Sequence, residues 1–249
     1  MGPKIFGIEH ILYLAATFII FAILIFLMHY LFKKDINKKT LIFRIIGLIG
    51  LISVLSNRIA VAFILRGNPL LLIPDSLCGI SSLMISISLL FFKEDNKLLQ
   101  VFWLLALIGD LATLIYPDFI GQDKSLFYLP TISGLWHHSW TFFAVIAVLI
   151  FRYINLDIRK SWYQIFGFLF LIILGYFLIY VGKLEDAFNL SKPLLSGTLL
   201  YFWILLPIYL VIYFSILIIC EIIKKKKKIH WLWYHIIISE SFIFIIYSN

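Results

Sequence analysis

A thiol and an imidazole stand out in this sequence because both lie inside long apolar runs. Cys78 occurs in LIPDSLCGIS, and His138 occurs in SGLWHHSWTFF. A thiolate is a strong nucleophile, and a neighbouring histidine can take the thiol proton, so such a pair is suited to acyl transfer through a thioester. This chemistry requires a fold that brings Cys78 and His138 to the same place.

Other polar residues lie at a similar depth in the apolar runs. An ionisable residue inside a membrane span costs at least about 2.5–3.5 kcal/mol unless partners or water compensate for it. His138 shares a small, polar helical stripe with Gly134 and Thr141, whereas His137 points about 100° away. We expect one shared polar cavity, and the candidate substrate-binding residues are Arg58, Asn57, His10, His137, Asp110 and Asp75.

The composition of the chain indicates whether these residues lie in water or in a membrane. The chain has 249 residues, of which 63% are hydrophobic and only 14% are charged. A soluble globular protein of this composition would expose far too much apolar surface. We predict an all-α, polytopic transmembrane helical bundle in which residues 1–249 form a single integral membrane domain.

The apolar runs define seven spans and leave an eighth segment undecided. The first run is longer than a signal-peptide core, so we interpret it as a retained span. The spans lie near 8–32, 41–65, 71–92, 98–116, 129–152, 163–182 and 198–222. The segment at 229–247 is either an eighth span or an interfacial helix.

Lysines and arginines alternate between loops in a way that predicts the orientation. Cationic loops stay cytoplasmic, and the first, third, fifth and seventh loops carry most of the basic residues. The N-terminus is therefore expected outside a cell membrane, with Lys224–Lys228 cytoplasmic. We assign this lysine run to anionic headgroups and expect no nucleic acid partner. Arg58, Cys78 and His138 then lie in the outward half, roughly 10–14 Å deep.

The third and fourth spans add two local expectations. Asp75, Cys78 and Ser82 fall on one helical face, and Pro74 is expected in the first turn of that helix. Asp110 could orient His138 or pair with Arg58, and the pairing is favoured. Cys220 lies near the inner end of span seven, so we expect no disulfide with Cys78.

Several stretches resemble a family of bacterial integral membrane proteins, the YwaF family. They are FGIEHILYL, RIIGLIGLISVLSNRIAVAF, LIPDSLCGIS, VFWLLALIGDLATLIYPDFIG and LWHHSWTFFAVIAVL. That family is related to the animal transmembrane protein 164 family, for which movement of acyl chains between phospholipids through a Cys and a His is proposed.

The resemblance implies roles for particular residues. The family's Pro and Cys fall on Pro74 and Cys78, its histidines on His10 and His138, and its span-four Gly and Pro on Gly109 and Pro117. Two positions depart from it: Ser76 stands where many bacterial members have His, and Gly79 stands where a polar residue follows the Cys. The family lends Asp110 no role.

Together these observations predict an intramembrane lipid acyltransferase or acyl hydrolase. Cys78 would be the nucleophile and His138 its base, with phospholipid or lysophospholipid as the partner and with no cofactor. One alternative is a solute-binding or transporter-type protein that uses the same pocket without catalysis. Two others are a metal-dependent lipid hydrolase, with ligands among His10, His137, His138 and Asp110, and a structural protein whose polar residues only join helices.

Overall fold

The protein is a bundle of long helices. The computed structural model describes residues 6–116 and 125–247, with side chains described as far as residue 225. Pro117 therefore lies outside the described residues. The described ranges contain seven α-helices and no strand, which confirms the predicted all-α membrane bundle. The helices are α1 (Ile8–Lys34), α2 (Lys38–Ile59), α3 (Leu77–Phe91), α4 (Lys97–Ile115), α5 (Leu129–Ile150), α6 (Tyr163–Tyr176) and α7 (Phe202–Tyr247).

Six helical stretches are long and apolar enough to cross a membrane, and α6 reaches this length only with its flanking turns, over Ile158–Val181. Helix α3 is a shorter apolar helix. The 15 residues of α3 span about 22 Å, against a hydrocarbon core of about 30 Å. A 3₁₀ turn at Pro69–Leu72 and extended residues precede it. Such irregular backbone is tolerated at membrane depth where it is buried in protein or lines a cavity.

The start of α3 differs from the sequence prediction. Pro74 was expected in the first helical turn, and this is wrong because the helix begins at Leu77. Ser76 is the N-cap, and its hydroxyl accepts a hydrogen bond from the Gly79 amide at 3.2 Å. A serine in this position satisfies one of the free amides at a helix start, which fixes the boundary after the proline. Cys78 is consequently the second residue of the helix.

Helices α2 to α5 form the centre of the bundle. Each packs against its neighbour, and α2 also packs against α5. In α5 67% of the most apolar window is buried, compared with 17% in α1 and 22% in α7. The chain therefore places its His-His pair on the most enclosed helix. We call the side where α1 begins the N-terminal side of the bundle, and the other the opposite side.

Two helices end in wider turns on the N-terminal side. Helix α2 continues as a π-helix over Ala60–Leu65, and α6 continues as a π-helix over Phe177–Val181. Such turns occur frequently at functional sites. Val61 and Leu65 of the first π-helix line the cavity described below.

Helix α7 continues without a break through the segment that sequence left undecided. It runs for 46 residues, or about 69 Å, so 229–247 is a continuation of α7 and no turn separates an eighth helix. Lysine has a high helix propensity, so the run at Lys224–Lys228 does not interrupt the helix. The side chains from residue 226 onward, including Glu240, lie outside those described.

Candidate functional site

A cavity of about 920 Å³ lies on the N-terminal side of the bundle. Six of the eight predicted site residues line it: Asn57, Arg58, Asp75, Cys78, His137 and His138. Apolar side chains of α4, α6 and α7 line the rest, among them Leu105, Phe168 and Leu206. The cavity thus has a polar end and a hydrophobic wall.

His138 of α5 is held by Asp110 of α4. Its Nδ1 donates to Asp110 Oδ1 at 2.6 Å, and the two residues are 6% and 0% exposed. A carboxylate at Nδ1 fixes the ring orientation and leaves Nε2 to act on a substrate or nucleophile. Of the two partners considered for Asp110, the structure shows His138.

The pairing of Arg58 with Asp110, which sequence analysis favoured, is therefore wrong. Arg58 donates to Asp75 Oδ1 at 3.0 Å and to Asn57 Oδ1 at 3.3 Å. Arg66 is a second cation near Asp75, at 3.7 Å. Asp75 lies in the irregular segment before α3, whose path could not be deduced from helical spacing. This segment carries the carboxylate across to the end of α2.

Cys78 lies where α3 and α4 approach closely. A Cβ placed on Gly109 would be 2.9 Å from Cys78 Cβ, so the contact requires glycine. The thiol donates to Ser76 Oγ at 3.5 Å. Among the described residues no hydrogen bond joins Cys78 to His138, although both line one cavity. Catalytic hydrogen bonds often tighten only when substrate is bound.

Ser82 connects α3 to Asp110, the hydrogen-bond partner of His138. Its hydroxyl lies 2.8 Å from the carbonyl oxygen of Cys78 and 3.1 Å from Asp110 Oδ1, and it can donate to one of them at a time. Sequence analysis placed Asp75, Cys78 and Ser82 on one helical face, and this is wrong for Asp75, which precedes the helix. The contact of Ser82 with Asp110 was not predicted.

His137 is buried without a hydrogen bond in the described part of the structure. It is 2% exposed, and neither ring nitrogen has a partner. Its ring centroid lies 3.8 Å from that of His138. An unpaired buried polar group costs about 1–3 kcal/mol. His137 therefore needs an explanation beyond packing.

His10 lies away from the cavity, which corrects its predicted role in substrate binding. Its Nε2 donates to the carbonyl oxygen of Leu114 at 2.8 Å, and its Nδ1 accepts from the Phe6 amide at 3.1 Å. Both ring nitrogens are thus occupied by backbone groups, and His10 joins α1 to the end of α4. Sequence gives the depth of a residue in a span but not the direction in which it points.

Sequence analysis missed the charged rim of the cavity. The segment KLEDAFNLSK between α6 and α7 contributes Lys183, Glu185, Asp186 and Lys192 to the lining. Lys192 forms an ion pair with Glu185 and donates a hydrogen bond to its carboxylate. This hydrogen bond lowers the pKa of the Glu185 carboxyl. The density of charge in a short loop between apolar spans was the available signal.

Comparison with known proteins places the chain in one family. No curated protein and no solved structure matches the chain. The bacterial YwaF resemblance stays a prediction, because it depends on the quoted motifs alone. The model of the TMEM164 family matches residues 5–224, which is most of the chain. This match and the helical membrane bundle show that the chain belongs to the TMEM164 family.

Proposed function

We propose that this protein is an intramembrane phospholipid acyltransferase or acyl hydrolase in which Cys78 is the nucleophile and His138 the general base. One observation carries the proposal: the Asp110-oriented imidazole and the only thiol on this side of the described structure face the same cavity. A thiol in an apolar site needs a base to become nucleophilic.

The proposed reaction has two steps. His138 Nε2 takes the Cys78 proton, and the sulfur attacks the carbonyl carbon of an acyl ester. The carbon–oxygen bond then breaks, His138 returns the proton to the departing lysophospholipid oxygen, and a thioester remains on Cys78. In the second step a lysolipid hydroxyl or water loses its proton to His138 and attacks the thioester, and the sulfur leaves and is reprotonated.

Binding of the lipid headgroup is assigned to Arg58 and Asn57. Arg58 uses part of its guanidinium on Asp75 and Asn57 and retains further N–H donors, and a guanidinium can contact phosphate through two parallel hydrogen bonds. Lys183 at the rim adds positive charge that attracts a phosphate.

The acyl chain is assigned to the hydrophobic wall. Ile108 of α4 and Ile208 and Ile212 of α7 line the cavity, and these side chains are 39%, 47% and 39% exposed. This exposure supports a path for lipid between α4 and α7. In the proposed function a phospholipid ester reaches Cys78 along this path without leaving the bilayer.

We further propose that the N-terminal side faces the exterior of a cell membrane. Lys33, Lys34, Lys38 and Lys39 flank the first loop on the opposite side, and basic loops are retained in the cytoplasm. The cavity would then open in the outer leaflet.

The test is detection of an acyl group on the protein. Purified wild type, Cys78→Ala, His138→Ala and a Cys220→Ala control are incubated with phosphatidylcholine vesicles and analysed by intact-protein and peptide mass spectrometry. We expect a hydroxylamine-labile acyl adduct on Cys78 in wild type and in Cys220→Ala. Because Cys220 lies toward the opposite side of α7, its loss leaves the cavity intact.

The adduct should be absent from Cys78→Ala and strongly reduced in His138→Ala. An unmodified Cys78 in folded wild-type protein would contradict the proposal and favour the solute-binding alternative. That alternative predicts that radiolabelled lipid or solute is retained and released without bond cleavage.

A further inference from the structure

Three potential metal ligands converge at the polar end of the cavity. One ligand atom each from Asp110, His137 and His138 lies within 4.8 Å of the other two. This is the metal-ligand grouping found among the described residues. The side chains come from α4 and α5, two helices packed at the centre of the bundle. The cluster is thus supported by rigid elements.

His137 supplies an independent reason to expect a ligand. It is buried, it borders the cavity, and both of its ring nitrogens lack a hydrogen-bond partner in the described structure. A neutral imidazole nitrogen is an acceptor that burial makes costly to leave unpaired. A cation in the cluster would use this nitrogen.

We propose that Asp110, His137 and His138 bind one divalent transition-metal cation of the zinc class, with a fourth coordination position open to the cavity. Two imidazoles and a carboxylate match the ligands of open zinc sites and do not match Mg²⁺ or Ca²⁺, which prefer oxygen ligands. The carboxylate offsets part of the cation's charge. Arg58, the nearest cation of α2, is itself neutralised by Asp75 at 3.0 Å.

Metal binding requires a small rearrangement. His138 Nδ1 and Asp110 Oδ1 are 2.6 Å apart, whereas two ligand atoms in a tetrahedral zinc site are about 3.3 Å apart at bond lengths of about 2.0 Å. The cation therefore replaces this hydrogen bond with two coordination bonds.

The metal site also implies regulation, and this part rests on the proposed function. A His138 that coordinates the cation through Nδ1 uses its one basic lone pair there and carries its proton on Nε2, so it has no lone pair left to take the Cys78 proton. Metal binding and proton transfer by His138 then exclude each other, so the cation is an inhibitor of thioester formation.

The experiment measures metal binding without reference to activity. Tag-free protein in detergent is stripped with a chelator and titrated with Zn²⁺ by calorimetry and with Co²⁺ by absorption spectroscopy. Mg²⁺ serves as the negative cation control. The variants are His137→Ala, Asp110→Asn and His29→Ala, the last removing an exposed histidine of α1. Thermal unfolding verifies that each variant is folded.

We expect one zinc per wild-type and His29→Ala chain, and four-coordinate cobalt bands. Affinity should fall more than about 100-fold in His137→Ala, because loss of an outer-shell partner alone costs about 10–100-fold. Asp110→Asn, which preserves side-chain shape, should lose at least about 10-fold. Equal affinity in wild type and both cluster variants, or no stoichiometric binding by wild type, overturns the metal site.

The acyl-adduct assay on stripped protein separates the two proposals. Zinc binding without any adduct retains the metal site and rejects the thioester mechanism. An adduct that forms in stripped protein but not after zinc addition supports both. Zinc binding that leaves adduct formation unchanged overturns the inhibitory role.

Discussion

The polar residues on the two sides of the bundle differ in how they use their hydrogen bonds. On the opposite side, Gln100 Nε2 donates to Asp95 at 2.6 Å and to the Asn155 carbonyl at 2.9 Å, and Gln164 Nε2 donates to the Gln100 carbonyl at 2.9 Å. Lys160 pairs with Asp95. We call Asp95, Gln100, Asn155, Lys160 and Gln164 the opposite-side cluster. Among the described residues, none of the five lines the cavity.

Buried atoms without a partner occur on both sides of the described structure, and their positions differ. On the opposite side Gln100 Oε1 has no partner among the described residues, but Gln100 does not line the cavity. On the N-terminal side both ring nitrogens of His137 have no described partner, the Cys78 thiol makes a long hydrogen bond to Ser76 at 3.5 Å, and both residues line the cavity. Polar residues that join helices are expected to use their hydrogen bonds on each other and on the backbone. The difference is that the N-terminal side keeps its unused hydrogen-bonding groups at a cavity, where a bound molecule can reach them.

The largest expected effect comes from Asp110→Asn. The variant keeps the side-chain shape but removes the charge that stabilises protonated His138, so the rate of adduct formation on Cys78 should fall by roughly 10²–10⁴-fold. Single-turnover mass spectrometry measures this rate. Asp95→Asn is the matched control in the opposite-side cluster, and a similar rate loss there would remove the distinction between the two sides.

Gly109→Ala should affect both chemistry and stability. An added methyl group meets Cys78 Cβ at 2.9 Å, and overpacking of this kind costs about 1–3 kcal/mol. We expect α3 to shift and adduct formation to slow. Gly167→Ala, whose methyl group meets the Val101 side chain between α6 and α4, should change the unfolding temperature alone. Equal rates in both variants would contradict this placement of Cys78.

Gln164→Leu tests the opposite-side cluster directly. The substitution removes the donor to the Gln100 carbonyl and the acceptor for the Tyr209 hydroxyl at 3.3 Å. Interhelical hydrogen bonds in membranes contribute about 0.6–1.7 kcal/mol, so stability should fall by about 1 kcal/mol. Thermal unfolding in detergent measures this change. A large loss of adduct at normal stability would show that this cluster also serves the chemistry.

The smallest effect is expected from His137→Phe in metal-free protein. A phenyl ring fills similar space without unpaired nitrogens, so stability should stay equal or rise by up to about 1 kcal/mol. Chelator-treated samples are compared by thermal unfolding. A marked destabilisation would mean that His137 has partners that the structure does not show, and the contrast between the two sides would weaken.

The helices could largely be predicted from sequence because the bilayer sets both their length and their composition. The bounds of α1 and α5 agree with their apolar runs within two residues. The start of α3 could not be located in this way, since the apolar run continues through the irregular segment before Ser76. Pro74 in a first turn and Ser76 as an N-cap predict two different starts for α3, and the helix begins after Ser76.

Sequence could place the candidate site residues along their helices, but it could not give the directions in which their side chains point. Cys78 and His138 were placed at one level, and both line the cavity. Which of Arg58, Asp75 and Asp110 pair with one another depends on the orientation of neighbouring helices about their axes. This orientation cannot be deduced from a single sequence. The prediction that His10 lies at the cavity was wrong for the same reason.

The cap that starts α3 has a consequence for how this chain can change over time. Ser76 Oγ would lie 2.8 Å from a Cβ at Gly79, so any larger residue at position 79 displaces the cap. A histidine at position 76 would in turn remove the hydroxyl that receives both the Gly79 amide and the Cys78 thiol. Positions 76 and 79 are therefore coupled, and a larger residue at position 79 should be tolerated only after, or together with, a change at position 76.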